Sequence, residues 1–468
     1  MTRRHVPRLV LALVAIAGCG KGHQFVSRSP NQSETFVIRN VRVFDAPHAS
    51  LLDGPRDVLV RDGRIAAVGL PGEVHEAVRE IDAGGKTLVP GLIDVHVHTG
   101  GSASPPWHTE LPDTDENLGA MLYAGVTTAL DAAGLTPAVF QVRDETRGGK
   151  RLGPRLFAAG PMFTGPGGHP VGILQETLPF WVRWYVIPRL ARQEATPDDA
   201  RRAVAELLPQ QPDVLKIAVD QLPIEPRIAS AVVAAIAAAG HEHGIRAVAH
   251  VGRSVDVLDA VHGGVDAMMH APYQEEISDE AVAALAAKSI PVVPTLAVWD
   301  AVERVGAVRP GDFTSLEREI AKPAVLDALV TAPASWSAGS NGEMLHMLAG
   351  AHAARRRNVQ KLRAAGITIL AGSDAVNLGN LPGAGLHIEL AKLVEAGLTP
   401  GEALKAATYD NARFLEGATA EAGEVAVDRR ADLLLVDGDP TADIGALDHI
   451  TRVFLGGVEL ERHSRDGV

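Results

Sequence analysis

Two histidines separated by one residue, His96 and His98, stand at the end of the apolar stretch 88–97. In a β-strand, the side chains of residues i and i+2 point to the same face, so both imidazoles are predicted to project toward one point. A neutral imidazole is a common metal ligand, and two of them at one strand end supply half of a metal site. The spacing therefore predicts metal binding, provided that the rest of the chain supplies further ligands.

Polar residues also interrupt or follow four other apolar stretches. These residues are Lys216, His250, His270 and Asp374. Taken singly, each type has an ordinary explanation: a core histidine forms hydrogen bonds, a strand lysine extends to water, and an aspartate after a strand caps a helix. Taken together, four histidines, a lysine and an aspartate from five strands are costly to bury without a compensating metal. We therefore predict that all six residues converge on one metal centre.

Short apolar strands alternate with alanine-rich helices through the middle of the chain. The eight strand candidates are residues 88–97, 126–131, 156–159, 214–219, 247–250, 267–270, 291–296 and 367–371. Eight such units predict an α/β fold, a (β/α)8 TIM barrel covering residues 88–420. The alternative is an open doubly wound sheet. A barrel is favoured because its mouth gathers side chains from the carboxyl ends of many strands.

Both ends of the chain are rich in short strands and tight turns. Asp62-Gly63, between two strand-like segments near the start, is typical of a hairpin turn. Similar segments recur after residue 420. The simplest arrangement is a small β-sandwich domain formed by both termini, from residues 35–87 and 421–462.

The first residues are predicted to direct export. A basic start followed by the apolar run 9–17 is the layout of a secretory signal peptide, here residues 1–18. Ile16-Ala17-Gly18-Cys19 resembles the lipobox of bacterial lipoproteins, in which the cysteine is lipidated after cleavage. The alternative is an ordinary signal peptide with an incidental cysteine. With residues 19–34 as a lipidated tether, we expect an exported protein, lipid-anchored to a bacterial membrane in the periplasm or at the cell surface.

Charge and cysteine content exclude several classes of protein. The formal net charge of −13 leaves no basic surface to replace phosphate counterions, so no nucleic-acid partner is expected. Cys19 is the single cysteine, which excludes a disulfide framework and a cysteine-based zinc site. The expected partners are a small-molecule substrate and, through the N-terminal lipid alone, the membrane. Assembly into a homo-oligomer is left open.

Two connections are longer than a barrel needs. The connection after the third strand contains the aromatic cluster 180–185, which is predicted to be a packing helix, with a lid or a membrane-surface element as the alternatives. The connection after the seventh strand covers roughly residues 298–355 and is a candidate lid over the barrel mouth.

Several segments resemble the amidohydrolase superfamily, in particular its binuclear-metal members related to imidazolonepropionase and prolidase. Segment 81–98 resembles the family's entry into the first strand, and segments 385–390 and 396–404 resemble the part after the eighth strand. Segment 431–440 resembles the closing β segment. The resemblance covers about residues 35–462 and implies the same barrel with a small β domain.

The resemblance also implies a centre with two divalent metal ions. The residues implied for the more buried ion are His96, His98 and Asp374, and those for the more exposed ion are His250 and His270. Lys216 would be carboxylated on its ε-amine and bridge both ions. Burial in an apolar strand lowers the pKa of a lysine and favours the neutral amine that adds CO₂. Zinc is the expected metal, with manganese, cobalt or iron as alternatives.

The same resemblance implies catalytic roles. A hydroxide bridging the metals would be the nucleophile, since metal binding moves the pKa of water toward ~7. Asp374 would take its proton and pass it to the leaving group. His169, in a glycine-rich segment after the third strand, resembles a position that contacts substrate; the alternative is an ordinary loop histidine.

The implied activity is that of a metal-dependent hydrolase of C–N amide or peptide bonds, with dipeptides or N-acyl amino acids as expected substrates. A cyclic amidase, a lactonase or an esterase would use the same dimetal site. Ile217-Ala218-Val219-Asp220 differs from the small Ser/Gly-containing loop typical of prolidase-like relatives. The other class is a non-catalytic surface lipoprotein that keeps the barrel for binding, although none of the six ligands is missing.

Overall fold

The computed structural model describes residues 22–30, 35–76, 78–222 and 225–467. The predicted signal peptide and Cys19 lie outside the described residues. The described strands are β1 (Val26–Arg28), β2 (Thr35–Asp45), β3 (Ser50–Leu51), β4 (Arg56–Arg61), β5 (Arg64–Gly69), β6 (Arg79–Asp82), β7 (Thr87–Pro90), β8 (Leu92–Val97), β9 (Val126–Asp131), β10 (Arg155–Ala158), β11 (Met162–Thr164), β12 (Ala191–Gln193), β13 (Val214–Ala218), β14 (Arg246–His250), β15 (Ala267–Met269), β16 (Val292–Val293), β17 (Leu433–Val436), β18 (Ile450–Leu455) and β19 (Val458–Arg462).

The described α-helices are α1 (Thr114–Tyr123), α2 (Ala138–Arg147), α3 (Val171–Thr177), α4 (Phe180–Leu190), α5 (Pro197–Leu207), α6 (Ser230–His241), α7 (Ser254–His262), α8 (Asp279–Ala287), α9 (Leu296–Arg304), α10 (Ser315–Ile320), α11 (Pro323–Val330), α12 (Gly339–Ala364), α13 (Ala384–Glu395), α14 (Pro400–Lys405) and α15 (Asn411–Glu416). None of the helices in these described ranges has the length and apolarity that a membrane crossing requires.

Eight parallel strands form the barrel, in the order β8, β9, β10, β13, β14, β15, β16 and the segment 369–375. The main-chain N–H of Asp213 donates to the carbonyl of Ala158 over 3.0 Å and joins β13 to β10. Ile369 bridges to β16 and Ala375 bridges to β8, which closes the ring. Every residue of β9 and β13 is buried, because one strand face fills the barrel and the other packs on helices. The predicted (β/α)8 fold is confirmed.

The last two barrel strands are shorter than predicted. The predicted strand 291–296 contains only the two residues of β16, and α9 already begins at Leu296. Thr295 has a left-handed φ of 52°, which ends the extended backbone. The predicted strand 367–371 pairs through a single bridge rather than a continuous ladder.

The first predicted barrel strand is in fact two strands that belong to different sheets. β7 pairs with β2 and β17 in the small β domain, whereas β8 pairs with β9 in the barrel. Gly91 separates them, and a Cβ at this position would lie 2.1 Å from the Thr127 hydroxyl oxygen. Only glycine fits at this crossing, so the apolar run 88–97 is divided by packing that its hydrophobicity does not reveal.

Strands from both termini form one ten-stranded sheet, in the order β1-β19-β18-β17-β7-β2-β4-β5, with β3 and β6 paired to β2. Phe36 from the first half stacks on Phe454 from the last, with ring centroids 5.1 Å apart, in a buried core. The prediction of one small β-sandwich domain built from both chain ends is confirmed.

Part of the stretch predicted as a tether belongs to this domain. Within residues 19–34, β1 pairs antiparallel with β19. Phe25 is 1% exposed, and its ring lies 5.8 Å from that of Tyr123 in α1. Burial of two adjacent apolar residues, Phe25 and Val26, together with the pairing to β19, docks the segment even though its other residues are polar.

Replacing Phe25 with alanine is expected to lower the free energy of unfolding by about 3–5 kcal/mol, the usual cost of truncating a buried phenylalanine. The change is measured by urea denaturation followed by circular dichroism. Leu70→Ala is the control, because Leu70 is 52% exposed and its truncation is expected to change stability by less than about 0.5 kcal/mol. Equal losses of unfolding free energy in the two variants would show that docking of Phe25 does not stabilise the fold.

The long connection after β16 forms helices α9 to α12, which surround an apolar cluster separate from the barrel core. Trp336 of this connection lies 5.3 Å, between ring centroids, from Trp107 of the loop after β8. The indole N–H of Trp107 donates to the carbonyl of Ala328 over 3.0 Å. The connection is therefore packed across loops at the barrel mouth.

Candidate metal centre and active site

All six predicted ligands lie together at the carboxyl ends of the barrel strands. They are His96 and His98 at the end of β8, Lys216 in β13, His250 at the end of β14, His270 after β15, and Asp374 in the eighth strand segment. His96, Lys216 and His270 are at most 1% exposed. The ring centroids of His250 and His270 are 4.1 Å apart, and those of His96 and His270 are 4.9 Å apart.

Asp374 faces the imidazoles with both carboxylate oxygens. Its Oδ1 lies 3.0 Å from His98 Nε2 and 3.5 Å from His96 Nε2, and its Oδ2 lies 3.9 Å from His270 Nε2. One ligand atom each from His96, His270 and Asp374 can be chosen so that all lie within 4.8 Å of one another. The Asn377 side chain donates to Oδ1 over 2.8 Å and holds the carboxylate in place.

Lys216 reaches the centre from a fully buried position. Its Nζ lies 3.1 Å from His96 Nε2. Burial lowers the pKa of Lys216 to about 7, so a large share of the amine is neutral at neutral pH. A neutral amine is the form that reacts with CO₂, and this part of the prediction is chemically consistent with the surroundings.

Three of the four histidines have one ring nitrogen held by a hydrogen-bond acceptor. His98 Nδ1 donates to the carbonyl of Ala133 over 3.1 Å, and His250 Nε2 donates to Asp220 over 3.1 Å. The Thr295 hydroxyl donates to a carbonyl, so it accepts from His270 Nδ1. In His250 and His270 the other ring nitrogen therefore carries the lone pair, as in metal-binding histidines whose second nitrogen is hydrogen-bonded. The other nitrogen of His98, Nε2, lies 3.0 Å from Asp374 Oδ1.

Among the six predicted ligands, two buried ring nitrogens have no hydrogen-bond partner within the described residues. They are His96 Nδ1 and His270 Nε2. An unpaired buried polar atom costs free energy, and a metal ion at His270 Nε2 would remove that cost. Imidazole lone pairs beside a carboxylate are the donor set of zinc and of other divalent first-row metals, so these residues fit a divalent metal site.

Metal binding needs neutral imidazoles and an ionised carboxylate, and the pKa shifts favour these forms in all the predicted histidine and aspartate ligands except His98. Burial lowers the pKa of His96 and His270 well below the usual value and also lowers that of His250. Burial alone would raise the pKa of Asp374, but His96 and His98 outweigh it and lower that pKa. His98 is the exception, because burial is outweighed by its bond to Asp374, which raises its pKa.

His169, predicted to contact substrate, lies at the edge of this centre. Its ring stacks on that of His250 with centroids 4.6 Å apart. Its Nδ1 donates to Glu225 over 2.8 Å, and the Glu225 carboxylate is fully buried and also accepts the Ile173 N–H. This arrangement leaves Nε2 as the ring nitrogen available to a ligand.

Sequence reasoning missed the residues that orient the ligands. Asp220 Oδ2 accepts both His250 Nε2 and the Tyr273 hydroxyl, the latter over 2.7 Å. Tyr273 in turn stacks on Trp299 of α9, with ring centroids 3.7 Å apart. The sequence did contain an indication that Asp220 faces the centre. Asp220 lies four residues after Lys216, and in an extended segment two residues separated by an even number point their side chains the same way.

Asp220→Asn is expected to weaken metal binding about 10–100-fold, the usual effect of losing a carboxylate that orients a metal-bound histidine. The affinity is measured by competition with a chelator of known strength. Tyr273→Phe removes the other donor to the same oxygen and is expected to have a smaller effect, since His250 keeps its acceptor. Unchanged metal affinity in Asp220→Asn would contradict this orienting role.

A second group of acidic residues, Asp300 and Glu303 of α9 with His352 of α12, is separate from the six predicted ligands. Lys392 Nζ lies 2.7 Å from Asp300, and Arg355 pairs with Glu303. The two carboxylates are thus already balanced by two cations, and this group is an ion-pair network rather than a metal site.

The chain matches known proteins at three levels. The sequence model of the Amidohydrolase family matches residues 87–460, which is well over half of the chain. Adenine deaminase from Gluconobacter oxydans (strain 621H) is 36% identical over 111 residues, which are 24% of this chain and 16% of the deaminase. The chain therefore aligns with only a small part of that relative's length.

Solved structures match over nearly the whole chain. An amidohydrolase crystal structure is 26% identical with a TM-score of 0.71, covering 92% of this chain and 99% of the other. A Xaa-Pro dipeptidase with bound methionine is 20% identical with a TM-score of 0.73, covering 91% and 99%, a likeness that shows the fold. The match of the family's sequence model over residues 87–460 shows that the chain belongs to the amidohydrolase family, and the barrel with its β domain is consistent with that assignment.

Proposed function

We propose that the protein is a metal-dependent hydrolase that cleaves C–N amide bonds, with dipeptides or N-acyl amino acids as substrates. The observation that carries this proposal is the convergence of His96, His270 and Asp374 ligand atoms within 4.8 Å, beside a buried Lys216. Family membership supports the reaction class, and the gathered ligand set supports an active enzyme rather than a binding protein that has lost its centre.

The ligand set divides into two groups around Lys216. His96, His98 and Asp374 would hold one divalent ion, zinc in the first instance. His250 and His270 would hold the other, and a carbamate on Lys216 would have an oxygen for each. Divalent ions there would polarise the substrate carbonyl and lower the pKa of the attacking water.

The protein's own groups would move the proton and position the substrate. Asn377 occupies Asp374 Oδ1, so Oδ2 is the oxygen placed to take a proton from water and return it to the leaving nitrogen. Nε2 of His169 lies beside the centre and would bind a polar group of the substrate, such as a carboxylate. The apolar cluster of α9 to α12 would keep bulk water from the mouth.

Purification without added chelator, metal analysis and a substrate panel test this proposal. We expect two metals per chain and turnover of dipeptides or N-acyl amino acids, while His169→Ala raises KM more than it lowers kcat. Activity confined to lactones, other esters or cyclic amides would replace the proposed substrate class. Full activity in protein shown to be metal-free would overturn the mechanism.

We also propose that the chain is exported and anchored by a lipid on Cys19. The support is the basic and apolar start, followed by the single cysteine at the position of a lipobox cysteine. The test compares cells that express the natural chain with cells that express Cys19→Ser, both grown with a labelled fatty acid. We expect the label in the natural chain alone, and we expect only the natural chain in the membrane fraction. Equal incorporation into both chains would contradict lipidation at Cys19.

A further inference from the structure

We propose that the mouth face of the barrel docks on a phospholipid bilayer through an exposed apolar surface, here named the mouth patch. The mouth patch consists of Leu111, Leu135, Phe180, Trp181, Trp184 and Tyr185. These are six of the nine large apolar side chains that are exposed within the described residues. Exposed apolar side chains gathered on one face usually mark an interaction site.

The mouth patch comes from three consecutive connections on one side of the barrel. Leu111 follows β8, Leu135 follows β9, and the four aromatic residues lie in α4, after β10 and β11. Connections that follow parallel strands lie on the carboxyl face of a barrel, where the metal centre also lies. The Thr136 N–H donates to the carbonyl of Arg189 over 3.0 Å, so the loop that carries Leu135 contacts the end of α4.

Helix α4 is not the packing helix that its aromatic sequence predicted. Ile187 is its one buried residue, while Phe180 is 79% exposed and Trp184 is 73% exposed. Trp, Tyr and Phe beside arginine are the composition of segments that lie in the lipid–water interface. Arg183 and Arg189 donate to main-chain carbonyls and form no ion pair within the described part of the chain, and the Arg189 guanidinium lies over the Tyr185 ring, 4.0 Å from its centroid. Their remaining donors are free to bind lipid phosphates.

The start of the described chain lies on the same face. An added Cβ on Gly22 would lie 2.6 Å from the carboxylate of Asp113, which caps the N-terminus of α1. That end of α1 follows the loop after β8, next to Leu111. Cys19 is three residues before Gly22, a reach of at most about 10 Å. A lipid on Cys19 would therefore hold the mouth patch close to the bilayer.

This geometry favours a bilayer over a second copy of the chain. A short anchor beside the patch brings the membrane to the same surface that a partner subunit would have to cover. The inference goes beyond the proposed catalysis and is independent of the metal centre, while its orientation argument rests on the proposed anchor. With the patch seated on lipid, the barrel mouth opens at the lipid–water boundary.

Vesicle binding tests the surface without the anchor. A chain from Gly20 to Val468 keeps every residue that the structure describes and cannot be lipidated. It is mixed with vesicles of phosphatidylethanolamine and phosphatidylglycerol, and the bound fraction is measured by sedimentation. We expect saturable binding that falls at least about tenfold in Trp181→Ser/Trp184→Ser. Leu70→Ser/Val427→Ser is the matched control, because those residues are also exposed but lie outside the mouth patch.

Tryptophan fluorescence and molecular mass complete the test. Brominated lipids should quench part of the emission of the unsubstituted chain and almost none in the double tryptophan variant. Absence of vesicle binding overturns the proposal. A dimer in light scattering that becomes a monomer in the double variant, without vesicle binding, assigns the surface to a second copy instead. Metal content and hydrolysis, measured on the same samples, show separately whether the proposed catalysis fails.

Discussion

Replacing Lys216 with alanine is expected to remove bound metal and to lower turnover about 10³-fold or more. The nitrogen of Lys216 lies 3.1 Å from His96 in a fully buried position, and in the proposed mechanism it carries a carbamate between the two metal ions. Loss of that proposed anionic ligand would leave the repulsion between the two ions uncompensated. A fold-change of that size corresponds to about 4 kcal/mol of lost stabilisation. Metal analysis and kcat report the two losses independently.

Two further variants separate the bridging role from a packing role. Lys216→Met fills most of the same volume, so loss of metal with an unchanged circular dichroism spectrum assigns the effect to the missing nitrogen. Adding formate or acetate to Lys216→Ala should restore part of the metal content, because a small carboxylate can occupy the space of the carbamate. A Lys216→Met protein with normal metal content and turnover would contradict the bridging role.

That these six side chains lie together could be predicted from sequence, because the prediction depends on short-range spacing. His96 and His98 share a strand face by the period of two, and the other predicted ligands interrupt, end or follow an apolar run. The barrel then brings the strand ends together. Eight parallel strands and one β domain followed from the same alternation of strands and helices.

Apart from Asp220, the groups that orient the predicted ligands could not be predicted, because these partners are distant in sequence. Thr295 holds His270 from the connection after β16, and Ala133 holds His98 from the loop after β9. The division at Gly91 depends on contact with Thr127, and the docking of Phe25 depends on α1. Each of these contacts is set by tertiary packing, which local composition does not reveal.

The exposure of α4 is a related case. Its aromatic sequence predicts burial by composition, since Phe and Trp gain most from leaving water. The structure buries Ile187 and exposes the aromatic residues instead. The aromatic composition of a helix is the same whether it packs on its own chain or docks on a membrane, so the sequence alone could not distinguish the two.

Asp374→Asn is expected to lower turnover about 10²–10⁴-fold, the usual contribution of a positioned acid–base group. Asparagine keeps the shape of the side chain and an oxygen to accept from Asn377, so the fold and part of the metal content should remain. Asp198→Asn is the control, because Asp198 lies in the first turn of α5 with its side chain 89% exposed and should leave turnover intact.

The nature of the leaving group distinguishes proton transfer from a purely structural effect. If Asp374 Oδ2 delivers the proton to the departing nitrogen, a substrate with an electron-poor anilide should lose much less rate than an ordinary amide, because its nitrogen needs less protonation to leave. A role in metal binding alone would lower both rates by the same factor. Because metal content is measured on each sample, an equal loss at full metal occupancy would remove Asp374 as the proton donor and leave it as a ligand.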